Sequence, residues 1–241
     1  MKTISVLLAD DHAIVRQGLR RLLETDGDIR VVGEAENGQQ AVLETKRLQP
    51  EVVLLDLAMP LLNGVEAARQ IAHEVPTARV LILSSYSDRL HLRQAVEAGV
   101  AGYLMKETAG EDLLEAIRSA DRGTAFFSTP ILKHLLTPGE KSPANGHQAA
   151  TGPATLSWRQ AEILQLIAEG HGTKQIAGML SLCVKTVERH RQTLMDKLNI
   201  HKIAMLTRYA ISSGVIDSPI DPVGLPSRLR TPRRRMKTTR L

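Results

Sequence analysis

The chain of 241 residues has one cysteine, one tryptophan, three tyrosines and two phenylalanines. With Cys183 alone, no internal disulfide can form, which agrees with a reducing compartment, and no activating partner for a catalytic thiol can be placed beside it. Aromatics at 2% argue against a module that stacks RNA bases. No run of about 18 uncharged apolar residues occurs, and Asp10 interrupts the N-terminus before a signal-peptide core is built. The expectation is a cytoplasmic protein with no membrane partner. Familiar enzyme signatures are also missing: there is no G-x-S-x-G elbow, no H-E-x-x-H and no paired-cysteine spacing. Gly33 and Gly38 have the outer spacing of a P-loop, but Gln39 and Gln40 stand where its Lys and Ser/Thr must be.

What is present divides by charge. Residues 1–123 carry 14 Lys/Arg against 19 Asp/Glu, whereas 155–216 carry 8 against 4, and the last fourteen residues carry 7 against none. An acidic first half joined to a basic second half implies separate partners, with nucleic acid the natural one for the second. At about 150 residues per domain, the length fits two modest domains.

In the first half, ISVLLA, IRVVGEA, VVLLD, RVLILSS and GYLMK read as five strands without polar alternation, the mark of a parallel sheet covered on both faces. Amphipathic segments lie between them. In AIVRQGLRRLLE, residues Ile14, Val15, Leu19, Leu22 and Leu23 form one apolar stripe, and LHLRQAVEAG ends on Gly99, a helix-terminating residue. The expected fold of residues 1–123 is a doubly wound α/β domain with a five-stranded parallel sheet. Residues 124–154, rich in Pro, Gly, Ala and small polar residues from 138 on, read as a flexible linker. Four helical patterns follow within 155–216, at 157–169, 173–181, 184–198 and 202–213, giving a small all-α domain. Ser157 and Gln160 have capping-box spacing at the first. The basic stretch 217–241 reads as a disordered tail able to add phosphate contacts.

Open parallel sheets place ligands beyond the carboxyl ends of their strands. Asp10 and Asp11, Asp56, Ser84 and Lys106 end strands one, three, four and five, so they should meet at one edge. Clustered carboxylates repel unless a cation sits among them, and oxygen ligands with retained waters suit Mg²⁺. A carboxylate can also accept a phosphoryl group when positive charge neutralises its oxygens, and Asp56 is the candidate acceptor. In the second half, two helices joined by a tight turn, with Lys185, Arg189, Gln192 and Lys197 on the second and Lys174 on the first, suggest helix-turn-helix contact with DNA.

The set ADDH, LLDLAMPLLNG, ILSS and GYLMKE resembles the receiver domain of two-component response regulators, which has a flavodoxin-like fold. LSWRQAEILQLIAEG with TKQIAGMLSLCVKTVERHRQTLMDKLNI resembles the LuxR-type helix-turn-helix of NarL/FixJ regulators. The resemblance implies that Asp56 is the phosphoacceptor and that Asp11, Asp56 and the Ala58 carbonyl bind Mg²⁺, with Asp10 acting mainly through water. Ser84 and Lys106 would sense and pair with the phosphoryl group, and Tyr103 would take the aromatic switch position. Glu188, Arg189 and Gln192 would read bases, while Lys185, Thr186 and His190 would touch backbone phosphate. IAMLTRYAI would be the dimer-forming helix. A sensor histidine kinase, DNA, a second copy once phosphorylated and RNA polymerase are the implied partners. No enzymatic turnover is expected beyond the chain's own phosphorylation and its slow loss. Two positions depart from the pattern: Trp158 stands where Pro is frequent, and Cys183 where Ser or Thr caps the recognition helix, so that a thiol, a weaker acceptor, takes the place of a hydroxyl.

Overall fold

The computed structural model describes residues 2–85, 89–107, 110–129, 131 and 156–216. The linker and tail readings lie outside the described residues, apart from 124–129 and 131. The first domain runs β1 (Ile4–Ala9), α1 (Ala13–Leu23), β2 (Ile29–Ala35), α2 (Gly38–Leu48), β3 (Val52–Asp56), α3 (Gly64–Glu74), β4 (Arg79–Ser84), α4 (Arg89–Glu97), β5 (Gly102–Met105), α5 (Gly110–Asp121) and β6 (Phe126–Phe127). The strands lie in the order β2-β1-β3-β4-β5-β6, every neighbouring pair parallel.

The apolar runs of the strands are explained by burial on both sides. Leu7, Val53, Leu55, Ile82 and Tyr103 face one core, whose other residues include Ala41, Ala68, Ile71 and Leu92 of α2, α3 and α4. Their neighbours Val6, Leu8, Leu54, Leu81, Leu83 and Leu104 face a second core, with Leu23 of α1 and Leu113 and Ile117 of α5. A strand with water on neither face has no reason to alternate.

The sheet has one strand more than the five expected. Phe126 and Phe127 pair with Gly102 and Tyr103, and Ile131 is buried in the first core. The extra strand is two residues long, too short to show a period of two, and it lies just past the point where the sequence pattern lapses.

The second domain comprises α6 (Trp158–Ala168), α7 (Thr173–Met179), α8 (Val184–Leu198) and α9 (Ile203–Ser212) around Ile163, Leu164, Ile176, Val187, Leu194 and Leu206. Ser157 and Gln160 form the capping box reciprocally at the start of α6. At α8 the Cys183 side chain caps no backbone amide; its sulfur lies 2.9 Å from Thr186 Oγ1. Among the described residues no helix is long and apolar enough to cross a membrane.

Register brings the strand ends together. Ala9 is opposite Leu55, Asp56 opposite Leu83 and Ser84 opposite Met105, so β1, β3, β4 and β5 finish within a residue of one another. Gly64, the first residue of α3, folds back against β3: its amide donates to the Leu57 carbonyl at 2.8 Å, and a Cβ there would stand 2.2 Å from the Asp56 carbonyl oxygen. Only glycine lets α3 begin so close to the strand end. Gly64→Ala must therefore move backbone; we expect a loss of about 1–3 kcal/mol in urea unfolding. Unchanged stability would show that the close approach is not needed.

Candidate functional site

The turn after β1 and the end of β3 place Asp10, Asp11, His12 and Asp56 together, with one ligand atom from each lying within 4.8 Å of the others. Asp10 and Asp56 are buried, while Asp11 and His12 are exposed. Lys106, just past β5, sets its Nζ 2.8 Å from Asp10 Oδ2 and 3.0 Å from Asp56 Oδ2. Its backbone amide donates to the Ser84 carbonyl at 2.8 Å, which fixes where the side chain starts. Ser84 is itself buried at the end of β4. Ala58 is exposed and lines, with Asp11, a cleft of about 510 Å³. Tyr103 is fully buried in the core facing α3 and α4.

Two further residues hold the acidic turn. The His12 amide donates to Asp10 Oδ1 at 2.8 Å, and the buried Arg16 donates through Nη1 to the Asp10 carbonyl at 2.7 Å. Arg16 also pairs with Glu34 and Glu36 at the end of β2. Sequence reasoning missed Arg16: on an amphipathic helix it looks like any solvated arginine.

Burial pushes the Asp56 carboxyl up to about 6, aided by the charges of Asp10 and Asp11 and opposed by Lys106. Lys106 loses some preference for charge through burial, but its bonds to Asp10 and Asp56 outweigh this and raise it above the ordinary lysine value. One ammonium thus serves two buried carboxylates, leaving this acidic cluster short of positive charge. The three carboxylates of the cluster are hard oxygen donors, which suit Mg²⁺.

The DNA-facing candidates are arranged on α8. Lys185, Glu188, Arg189, Gln192 and Lys197 are exposed, Thr186 and His190 are half-buried, and Val187 and Leu194 turn into the core. Burial, then the charges of Arg189 and Arg159, lower the His190 pKa. Lys174 is exposed on α7. Lys197 donates to Gln160 Oε1 at 3.1 Å, so it braces α8 on α6, and Gln192 donates to Asp196 Oδ1 at 2.8 Å.

The two domains meet at the loop that follows Asp56. Gln165 of α6 donates through Nε2 to the Met59 carbonyl at 2.9 Å and accepts from the Asn63 amide at 2.8 Å. Asn63 caps α3 by accepting from the Glu66 amide at 2.9 Å and donates from Nδ2 to the Val215 carbonyl at 3.0 Å. Gln94 of α4 donates to the Ser213 carbonyl at 2.7 Å. Leu61 packs against the helical core while holding φ at +68°, a left-handed conformation costing a leucine roughly 1–2 kcal/mol. Gln165, Asn63 and Leu61 were not anticipated. A glutamine on a helix gives no sign that its partner is a backbone carbonyl in another domain.

Comparison with known proteins gives the following. The response regulator receiver domain model matches residues 6–118, and the model for bacterial regulatory proteins of the luxR family matches 154–210. Response regulator protein VraR of Staphylococcus aureus is 34% identical over 214 residues, covering 89% of this chain and 99% of VraR. A structure of RcsB from Salmonella typhimurium, described in terms of conformational dynamism for DNA interaction, aligns with TM-score 0.53 at 27% identity over 88% of this chain and 100% of its own. Two RcsB dimers bound to two parallel DNAs give TM-score 0.55 at 26% identity, over 88% and 99%.

Folding favours the protonated form of Asp56, so its contribution to stability is full below its ordinary value near 4 and is lost as pH rises through about 6. In chelator at about pH 8, Asp56→Asn should be more stable than wild type by on the order of 1–3 kcal/mol, and at about pH 5 the difference should shrink. Mg²⁺ should raise the wild-type melting temperature more at the higher pH. Equal effects at both pH values would show that this cluster is not short of positive charge.

Proposed function

The chain belongs to the response regulators that join a receiver to a LuxR-type DNA-binding domain, and on that premise we propose that Asp56 accepts a phosphoryl group from a sensor histidine kinase and thereby controls binding to promoter DNA as a dimer. The observation that carries this reading is the Lys106 ammonium set between Asp10 and Asp56. In the transfer, a P–N bond to the kinase histidine breaks as a P–O bond to an Asp56 carboxylate oxygen forms. With a value of about 6, Asp56 is mostly ionised at neutral pH and ready to attack. Lys106 offers positive charge to the incoming phosphoryl oxygens, and the Ser84 hydroxyl stands at the neighbouring strand end. Asp10, Asp11, Asp56 and the Ala58 carbonyl would hold Mg²⁺, which would supply further charge neutralisation. The chain turns over nothing but its own aspartyl phosphate.

The signal has a short route. Met59 and Asn63, which follow Asp56 in the same loop, are the groups that Gln165 grips. A phosphoryl group on Asp56 adds bulk and charge beneath that loop, and any shift of the loop loosens the grip. Because α8 keeps its basic face exposed while the domains are docked, control does not consist of covering the base-reading residues. It consists of freeing two DNA-binding domains to reach half-sites about one turn apart. Ile203 and Met205, exposed on α9, are apolar surface suited to a second copy.

Incubation with acetyl phosphate and Mg²⁺ should raise operator affinity of the wild type and leave that of Asp56→Asn at its resting level. Gln165→Ala should raise resting affinity roughly 3–10-fold without phosphate, since about 1 kcal/mol of docking is lost. Arg189→Ala should cost about 1–3 kcal/mol and relax base preference, whereas Lys174→Ala should weaken all sequences alike. An Asp56→Asn protein that still responds to acetyl phosphate contradicts the reading.

A further inference from the structure

The face of α3 turned toward α6 carries a second cluster of acids, away from the phosphoacceptor. Glu66 of α3 is 6% exposed, Gln70 one turn later 8%, and Glu162 of the helical domain 8%. The Glu162 charge bears on Glu66 across the domain boundary and disfavours its ionisation, while the Gln70 amide lies close to both acids and favours their charged forms. Their neutralisation is incomplete. Arg69 reaches Glu66 Oε2 at only 3.4 Å, and Arg159 pairs with Glu162 Oε2 at 2.8 Å, both arginines being half-buried. Glu66 Oε1 and Gln70 Nε2 are buried without a hydrogen-bond partner. A buried, unbonded carboxylate oxygen facing a like charge is costly, and a proton is the smallest group that removes the cost.

We propose that the buried acids Glu66 and Glu162 hold a proton while the domains are docked, so that acidification clamps the helical domain to the receiver and alkalinisation releases it, whether or not Asp56 is phosphorylated. Among the described residues, few charged groups surround the pair. Arg69 faces it from α3 and Arg159 from α6; His190 of α8 senses Arg159; Lys46 of α2 is occupied by Glu74; and His73 stands edge-on to Trp158, ring centres 4.7 Å apart. Burial pushes Glu66 up to about 7 from an ordinary 4.5, and Glu162 is raised for the same reason. The two acids belong to different domains, so undocking strips from each the cover that the other domain supplies. Docking is therefore unimpaired below the ordinary carboxylate range, weakens as pH climbs toward about 7, and weakens no further beyond it. Over that window the docked-to-undocked ratio should fall on the order of 100-fold.

Trp158, the single tryptophan, reports docking through its contact with His73. The test follows its emission together with the radius of gyration of the full-length unphosphorylated chain in chelator, between about pH 5 and 8. The wild type should be compact with blue-shifted emission in acid, and extended and red-shifted at the alkaline end. Glu66→Gln and Glu162→Gln, one on each domain, should each stay compact throughout, since glutamine imitates the protonated acid. A wild type with no transition overturns the proposal. So does a glutamine variant that keeps the transition, which would assign it to His73 or another group. Since no phosphoryl donor is present, failure here leaves the role of Asp56 untouched, and the reverse holds as well.

Discussion

Asp10 and Asp56 stand side by side under little water at the end of a parallel sheet, and the Lys106 ammonium is the cation that both share. Removed from solvent, the two carboxylates repel strongly, and one lysine cannot satisfy both. Much of the surrounding architecture serves this deficit. The register of β1, β3, β4 and β5 brings the strand ends to one level, Gly64 lets α3 start hard against β3, and Arg16 clamps the Asp10 carbonyl. A site short of positive charge is ready for a divalent ion and sensitive to a phosphoryl group added to it.

That sensitivity is useful because the helical domain holds the adjoining loop. Gln165, Asn63 and Leu61 connect the loop after Asp56 to α6 and to the segment after α9, and Leu61 does so in a left-handed conformation that its packing against the other domain offsets. Docking therefore stores some strain in the segment that a phosphoryl group on Asp56 would disturb. The basic face of α8 is open in this docked arrangement. Control by placement of domains, rather than by masking of the DNA surface, is what this arrangement favours.

The share of this that was legible in the sequence follows from physics. Five strands could be read because burial on both faces leaves continuous apolar runs, and the acidic edge could be inferred because topology sends strand ends to one side. Phe126–Phe127 escaped because two residues have no period. The start of α6 could be read because Ser157 and Gln160 announce its cap. Glu66, Gln70, Glu162 and Gln165 escaped for another reason. Each sits on an amphipathic helix where a polar residue normally faces water, and only the meeting of the two domains turns those positions inward. A single sequence specifies each domain's periodicity but carries no local mark of what docks against it.

The phosphoryl group is proposed to reside on Asp56 and on no other carboxylate of the cluster. The most direct measurement is to treat the protein with acetyl phosphate and Mg²⁺, reduce it with borohydride, which converts an aspartyl phosphate to homoserine, and map the peptides. Homoserine at position 56 alone is the result the account predicts. Homoserine at 10 or 11, or an unmodified cluster in protein that has nonetheless gained operator affinity, would contradict it.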